Sequence, residues 1–169
     1  MQGAIVRKFA SEKLTQYAGR IQVCLGKLTA EQIWARHSKN ENAVGNLVLH
    51  LCGNVRQWIG TGVAGLPDIR RRDDEFAAHG GMEAAALGAL LEAITSDAAA
   101  QIEAVPDARL EERVQIQNYN VTRLEAILHV LAHFGEHTGQ IIFATKLLTG
   151  EDLGFYAHLK KASHGETVP

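Results

Sequence analysis

Four long segments with helical periodicity and no internal proline constrain the fold of this chain most. The 169 residues include only three prolines, Pro67, Pro106 and Pro169, and none falls inside such a segment. Proline in a helix interior removes a backbone hydrogen bond, so each segment is free to form one long helix. Apolar residues recur at helical spacing over residues 4–26, 43–61, 82–105 and 122–148. The pattern predicts four amphipathic helices.

Capping signals mark where two of the predicted helices begin. Thr29 with Gln32, and Thr122 with Glu125, form the capping-box pattern, in which two side chains satisfy backbone N–H groups at a helix start. The first box predicts a short helical turn and the second opens the fourth long helix. Gly150 suits the end of that helix, because glycine readily adopts the left-handed conformation found there. A short extended segment and a short helix are also predicted, at residues 114–119 and 153–159.

The predicted helices and the chain length together indicate the fold class. Apolar residues make up 46% of the chain and charged residues 21%, which is the composition of a folded protein rather than a disordered one. Four amphipathic helices in a chain of this size are most simply buried against one another in a bundle. We therefore predict an all-α fold, a four-helix bundle with short extra helices. The bundle forms one domain over residues 1–162, and a polar tail follows at 163–169.

The charge balance excludes several classes of protein. Lys and Arg total 17 and Asp and Glu total 19, for a net charge of −2. Such a balance argues against a nucleic-acid binder that works by bulk positive charge, and against a polybasic membrane arm. No apolar run is long enough to span a bilayer, and charges near the N-terminus argue against a signal peptide. We expect a cytoplasmic protein without nucleic-acid or membrane partners, in which Cys24 and Cys52 are buried as small hydrophobic residues.

A run of charged residues of both signs, residues 70–75, follows the second predicted helix. Mixed charge of this kind is typical of a solvated connection between helices, and we predict one here. The alternative is that the arginines at positions 70–72, together with Arg56, bind an anionic substrate near the mouth of a site.

Histidine is the one unusually frequent residue type, with eight in the chain, and three of them are spaced four apart. His129, His133 and His137 lie on one face of the fourth predicted helix, because residues four apart on a helix are neighbours. Either adjacent pair can hold a metal ion between its imidazoles, but the outer two lie about 12 Å apart along the axis. A two-histidine pair needs a third ligand from another helix. The alternative is an exposed or hydrogen-bonded pair.

His50 is the candidate for that third ligand. It lies in the second predicted helix among strongly apolar neighbours, with Asn46 and Asn54 one turn before and after it. A buried imidazole without a partner is costly, so His50 needs either a hydrogen bond or a metal ion. Both readings stay open from the residues alone. The three polar side chains in one stripe predict a polar pocket inside the bundle.

The two histidine segments together resemble the DinB/YfiT-like superfamily of proposed metalloenzymes. The resemblance rests on His50 in helix two and on His133-Phe-Gly-Glu-His137-Thr-Gly-Gln140-Ile in helix four, and residues 46–59 look like an uncharacterised branch of the superfamily. It spans almost the whole chain. The resemblance implies a four-helix bundle that binds a divalent metal ion through His50, His133 and His137, with His129 left outside the ligand set. It also implies a homodimer.

Further side chains are expected to support this site. Asn46 and Asn54 are candidates for hydrogen bonds to His50, and Gln140, one turn after His137, is a candidate for orienting a ligand or a bound group. Gln140 is equally consistent with a hydrogen bond between helices. Zinc, nickel, manganese and iron all accept imidazole, so the ligand type does not choose the metal.

Three neutral imidazoles leave coordination positions for water or substrate, as in a catalytic site. Characterised members of the superfamily include thiol S-transferases and a thiol-dependent isomerase that use low-molecular-weight thiols. By resemblance, the first hypothesis is a metal-dependent thiol S-transferase acting on small electrophiles. A metal-dependent hydrolase, and a non-catalytic dimer whose bundle is stabilised by the metal, are the alternatives. The sequence contains no P-loop, no GxGxxG motif and no Ser-His-Asp or Cys-His arrangement to favour other chemistry.

Overall fold

The computed structural model describes residues 2–160, so the predicted polar tail at 163–169 lies outside the described residues. In chain order the helices are α1 (Gln2–Leu25), α2 (Ala30–Ile33), α3 (Val44–Val55), α4 (Arg72–Ala77), α5 (Ala84–Ala104) and α6 (Arg123–Thr149). A π-helix (Arg56–Val63) continues α3 directly. Two 3₁₀ turns lie at Asp107–Arg109 and Ala157–Lys160, and strands β1 (Arg113–Ile116) and β2 (Tyr119–Thr122) precede α6.

The four long helices form a bundle, which confirms the predicted fold class. Helix α1 packs against α5 and α6, and α3 packs against the same two helices, so the four close into a ring around one core. The largest fully buried side chains come from every wall of the ring, and include Leu14, Leu51, Leu87 and Phe134. No helix within residues 2–160 combines the length and apolar character needed to cross a membrane.

The local capping predictions are confirmed. At Thr29 and at Thr122 the side chain accepts a backbone N–H bond from the third residue of the helix, and the third residue's side chain accepts one in return. Gly150 ends α6 with a φ of 71°, in the left-handed region. Both cysteines are free and buried. The short C-terminal helix expected at 153–159 is a 3₁₀ turn at Ala157–Lys160.

The extended segment predicted at 114–119 is one half of a β-hairpin. Strands β1 and β2 pair antiparallel, with Val114 opposite Val121, and the two-residue turn places Gln117 at a φ of 55°. The hairpin packs against the π-helix, where Ile116 is buried against Gly62. A methyl group on Gly62 would approach Ile116 Cγ1 to 2.8 Å, so the glycine makes room for the hairpin. The second strand, Tyr119–Thr122, also alternates apolar and polar residues, but it is only four residues long and leads directly into the capping box of α6, so it was missed.

The segment after the π-helix is more ordered than the predicted solvated connection. Part of the charged run 70–75 forms α4. Some residues of the run are exposed to solvent and others are buried. Arg71, Arg72, Asp73 and Asp74 are exposed, as expected. Glu75 is buried, and the Arg70 side chain is only 3% exposed. The prediction of a solvated run is therefore wrong for these two residues, because they pair with each other and with a side chain of α3.

Candidate metal centre

Two neighbouring helices bring three imidazoles together. His50 projects from α3, and His133 and His137 lie one turn apart on α6. His133 Nε2 lies 3.1 Å from His50 Nε2 and 3.2 Å from His137 Nε2. All three ligand atoms fall within 4.8 Å of one another, and the cluster is the one group of three or more potential metal ligands among residues 2–160.

The separations of the three nitrogens suit a shared metal ion. A metal–imidazole bond is about 2.0–2.1 Å long, so two ligand nitrogens are about 3.3 Å apart around a tetrahedral ion and about 2.9 Å apart around an octahedral one. The two measured separations, 3.1 and 3.2 Å, lie between these values. Small adjustments of side-chain rotamers therefore suffice to place all three Nε2 atoms on one ion.

The hydrogen bonds of the outer ring nitrogens fix which atoms carry protons. His137 Nδ1 lies 2.7 Å from Gln140 Oε1, which can only accept, so this Nδ1 donates and the Nε2 is bare. His50 Nδ1 lies 3.0 Å from Glu75 Oε2 and 3.1 Å from Arg70 Nη2. Arg70 Nη2 already donates to Glu75 Oε2, and a bare Nδ1 would face the same ionised oxygen, so an Nδ1–H that donates to Glu75 fits both contacts better and leaves Nε2 bare.

His133, the middle residue of the cluster, cannot satisfy both of its histidine neighbours by hydrogen bonding. Two bare nitrogens point at its Nε2, which can donate a hydrogen bond to only one of them. Its Nδ1 is buried and has no hydrogen-bond partner within residues 2–160. A cation shared by the three Nε2 atoms satisfies all of them at once, so the donor set fits a metal ion better than it fits a self-contained hydrogen-bond network.

A buried ion pair stands directly behind His50. Arg70 Nε donates to Glu75 Oε1 and Arg70 Nη2 donates to Glu75 Oε2, both at 2.8 Å, in a two-bond fork. Burial acts to raise the pKa of the Glu75 carboxyl, but the hydrogen bonds from Arg70 and His50 outweigh it and hold the pKa below its usual range. Glu75 therefore stays ionised and orients His50, as the carboxylate does in a carboxylate–histidine–metal arrangement.

Gly53 leaves the space that the Glu75 carboxylate occupies, because it has no side chain. It lies on α3, three residues after His50, and faces α4 across the ion pair. A methyl group on Gly53 would overlap Glu75 Oε1 and approach the carboxyl carbon to 2.7 Å. Any other residue at position 53 therefore forces the carboxylate to move.

Burial leaves two imidazoles of the cluster, those of His133 and His137, neutral at pH 7. Burial, reinforced by the neighbouring His137 and His50, lowers the pKa of His133 to about 3. Burial likewise lowers the pKa of His137, against the opposing effect of the Gln140 hydrogen bond. Neutral imidazole is the form that binds a metal, so protons compete little for these two ligands near neutral pH.

One side of the cluster faces solvent. His50 is buried, whereas His133 and His137 are only partly buried. The Phe76 ring packs against His50, with 4.7 Å between ring centroids, and the exposed Arg72 guanidinium lies 4.8 Å from the Phe76 ring centre. The solvent side therefore has an aromatic wall with a positive charge at its edge.

His129 is outside the ligand cluster, as the family resemblance implied. Its ring stacks on buried Trp58, with 3.9 Å between centroids, and lies 5.7 Å from the ring of His133. Burial lowers the pKa of His129, and the Glu136 carboxylate opposes this shift. The imidazole extends the aromatic surface between the hairpin side of the bundle and the cluster.

The other predicted supporting residues have different roles. Asn46 does not bond to His50; its side chain donates to the backbone oxygens of Glu75 (2.9 Å) and Ala78 (2.8 Å) and accepts from Arg36 (2.6 Å). It therefore fastens α4, which carries Glu75, onto α3. Asn54 is buried, and its Oδ1 has no hydrogen-bond partner in the part of the chain that the structure describes. The carboxylate that holds His50 is the residue that the sequence analysis missed.

Solved structures support this architecture. A conserved protein from Enterococcus faecalis superposes with a TM-score of 0.71 at 18% identity, covering 85% of this chain and 97% of that protein. A DinB-like protein from Bacillus subtilis superposes with a TM-score of 0.66 at 14% identity, covering 87% of this chain and 96% of that protein. Among curated proteins, none is significantly similar. These similarities show that the chain shares the helical-bundle fold of a DinB-like protein.

The chain belongs to the family described as "Protein of unknown function (DUF1572)", whose model matches residues 5–158. The match covers both histidine segments and the charged run that contains Arg70 and Glu75.

Proposed function

We propose that this protein is an enzyme that depends on a divalent metal ion held by His50, His133 and His137. The observation that carries the proposal is the convergence of three Nε2 atoms from two helices at a place open to solvent on one side. A three-histidine ion with solvent access keeps positions free for a small molecule, whereas a structural ion is enclosed by four protein ligands. The donor set is compatible with zinc, nickel, manganese or iron.

Thiol transfer to a small electrophile is the reaction we favour. A divalent ion lowers the pKa of a thiol or water that binds it, and so supplies a nucleophile near neutral pH. The chain's own residues bind the ion, orient His50 through Glu75 and screen one side of the site with Phe76.

The burial of both cysteines indicates that the reacting thiol belongs to a separate small molecule. Cys24 and Cys52 are buried away from the cluster, and burial raises the pKa of Cys52 to about 12. Neither is a nucleophile for this site, so the thiol is a low-molecular-weight cosubstrate.

Hydrolysis is the second candidate reaction, but the position of Glu75 favours thiol transfer. Hydrolysis needs a group that removes a proton from water, and both oxygens of Glu75 already accept bonds from Arg70 and His50. A thiol ionises more readily than water and depends less on such a base.

Elemental analysis of protein purified without a histidine tag tests the metal proposal. About one divalent ion per chain is expected, and His50→Ala should lose it while retaining the helical circular dichroism spectrum. His129→Ala is the matched control and should keep the ion, because its ring lies outside the cluster. A wild-type protein that binds no divalent ion, or a His50→Ala variant with unchanged ion content, contradicts the proposal. Unfolding of His50→Ala together with a closed coordination sphere favours the non-catalytic bundle.

Activity is tested with a panel of small electrophiles, with and without glutathione, bacillithiol or mycothiol. Thiol-dependent loss of the electrophile, abolished in His50→Ala, is the expected result. Turnover that needs the metal but no thiol contradicts the transferase and supports the hydrolase.

We also propose a homodimer. The exposed outer surface carries large apolar side chains on α1, where Ile5 is 66% exposed, and on α6, where Phe143 is 66% exposed. Light scattering after gel filtration is expected to give twice the chain mass, and a monomer at micromolar concentration contradicts the proposal.

A further inference from the structure

A cleft on the opposite side of the π-helix from the hairpin has the properties of a second small-molecule site. It has a volume of about 360 Å³ and lies between the π-helix, the loop that follows it and α5. Ligand sites in proteins have volumes of about 300–1,000 Å³ and are mostly apolar with a few placed polar groups. The walls here are aliphatic, from Val55, Leu66, Ile69 and Ile94, and the cation Arg56 stands among them.

The shape of the cleft is fixed by the backbone and does not depend on a ligand. The loop that forms one wall is tied to the π-helix, because the Leu66 N–H donates to the Gly60 oxygen at 2.9 Å. Further along, Gln57 Nε2 donates to Asp68 Oδ2 at 2.7 Å. Leu66 and Ile69 nevertheless remain 50% and 67% exposed. Two large aliphatic side chains are thus held over a concave surface, and none of the described residues covers their exposed sides.

Gly60 forms part of the floor of this cleft. A methyl group on it would lie 3.8 Å from Leu66 Cδ1, 3.9 Å from Arg56 Cγ and 3.9 Å from Gln101 Oε1, which are ordinary contact distances. The space above Gly60 is therefore large enough for a carbon atom of a ligand and is bounded by residues from all three walls. π-Helical turns are rare in proteins, and many of those that occur lie at functional sites.

The charged side chains at the cleft indicate that its ligand is an anion. The exposed Arg56 side chain forms no hydrogen bond or ion pair among the described residues. A second cleft of about 300 Å³ meets the first at Arg56 and Ile69, but its other arginines are neutralised: Arg70 pairs with Glu75 and Arg71 with Asp74. Arg56 is therefore the available cation at the junction of the two clefts.

We propose that this cleft binds an aliphatic monocarboxylate, with the apolar chain against Leu66, Ile69 and Ile94 and the carboxylate on Arg56. A planar guanidinium matches one carboxylate through two parallel hydrogen bonds. Asp97, on the α5 wall, repels a second negative charge and so disfavours dicarboxylates. The aliphatic lining, which contains no aromatic ring, suits an alkyl chain better than a stacked ring.

Decanoate is the probe, followed by amide NMR shifts in the full-length protein. EDTA is present, so that no ion at the histidine cluster captures the carboxylate and the result is independent of the proposed enzyme activity. Saturable binding is expected, with shifts centred on Gly60 and Ala98. Arg56→Gln, at an exposed position, should weaken decanoate binding about tenfold or more and leave the weaker binding of decanol unchanged.

Gly60→Val places a side chain in the cleft and should abolish decanoate binding. Gly19→Val, at an exposed helix position with nothing within 4 Å, is the matched control and should bind like the wild type. Absence of saturable binding, or equal decanoate affinity in the wild type and Arg56→Gln, overturns the proposal. So does tighter binding of decyltrimethylammonium that is lost in Asp97→Asn, because Asp97 would then select the ligand.

Discussion

The substitution Glu75→Gln removes one charge from the group that orients His50 and keeps the side-chain shape. The Glu75 carboxylate accepts three hydrogen bonds, from Arg70 Nε, Arg70 Nη2 and His50 Nδ1, at 2.8–3.0 Å. An amide offers one acceptor oxygen in place of two, so it cannot satisfy all three donors. At least one of these donors then faces an N–H₂ group.

The effect on metal affinity can be estimated from this loss. If the amide nitrogen faces His50 Nδ1, the imidazole adopts the other tautomer and directs an Nε2–H into the cluster. Loss of a carboxylate behind a metal-binding histidine typically lowers metal affinity about 10–100-fold, which is about 1.4–2.8 kcal/mol. Arg70 is also left without a counter-charge at 3% exposure, so a lower melting temperature is expected as well.

Two measurements separate the tautomer effect from general destabilisation. Zinc affinity is measured by competition with a chromogenic chelator, and the tautomer of His50 is read in the metal-free protein from long-range ¹⁵N–¹H correlations. Asp74→Asn is the matched control, because Asp74 is the adjacent acid and pairs with Arg71 at the exposed surface. Unchanged zinc affinity in Glu75→Gln, with His50 protonated on Nδ1 as in the wild type, would refute the reasoning.

Three further predictions follow from the same contacts. Gly53→Ala should displace Glu75, weaken zinc binding and destabilise the fold by about 1–3 kcal/mol in urea unfolding, whereas Gly88→Ala, in open space on α5, should not destabilise it. The metal-free protein should lose stability as pH falls from about 6.5 towards 4. In this range His133 takes up a proton in the unfolded chain, where its pKa is about 6.5, but not in the folded protein, where its pKa is about 3. The slope should reach at most about 1.4 kcal/mol per pH unit for this residue, and a His133→Gln variant with an equally steep slope contradicts the assignment. Adding zinc at about 100 times its Kd should stabilise the wild type by about 2.7 kcal/mol in thermal unfolding, and an equal gain in His50→Ala excludes the cluster as the binding site.

The sequence predicted the parts of this molecule that depend on local pattern. Helical periodicity and capping residues located the four long helices, because both signals act within one or two turns of the chain. His133 and His137 were found by their spacing, and His50 by its apolar surroundings together with the family resemblance. The pairing of α3 with α6, which brings the three rings together, came from the resemblance alone.

Glu75 was missed because its burial depends on a residue far away in the sequence. In the run 70–75 its charge pattern matches that of a solvated loop, and nothing local distinguishes it from Asp73 or Asp74. The distinguishing feature is Gly53, more than 20 residues earlier, whose missing side chain leaves the space that the carboxylate occupies. The π-helix was missed for a related reason, since the fit of Ile116 against Gly62 joins two segments that are distant in the chain.

Two of the three imidazoles come from one helix and the third comes from another. This difference bears on the size of ion that the cluster could accommodate. The backbone spacing of His133 and His137 is set by the pitch of a single helix. The spacing of His50 from His133 instead follows the separation of two packed helices, which Arg123, at the start of α6, ties together through its bonds to the backbone oxygens of Gly62 and Val63. If the cluster binds an ion as proposed, this tie limits how far His50 can move away from His133 to accommodate a larger one.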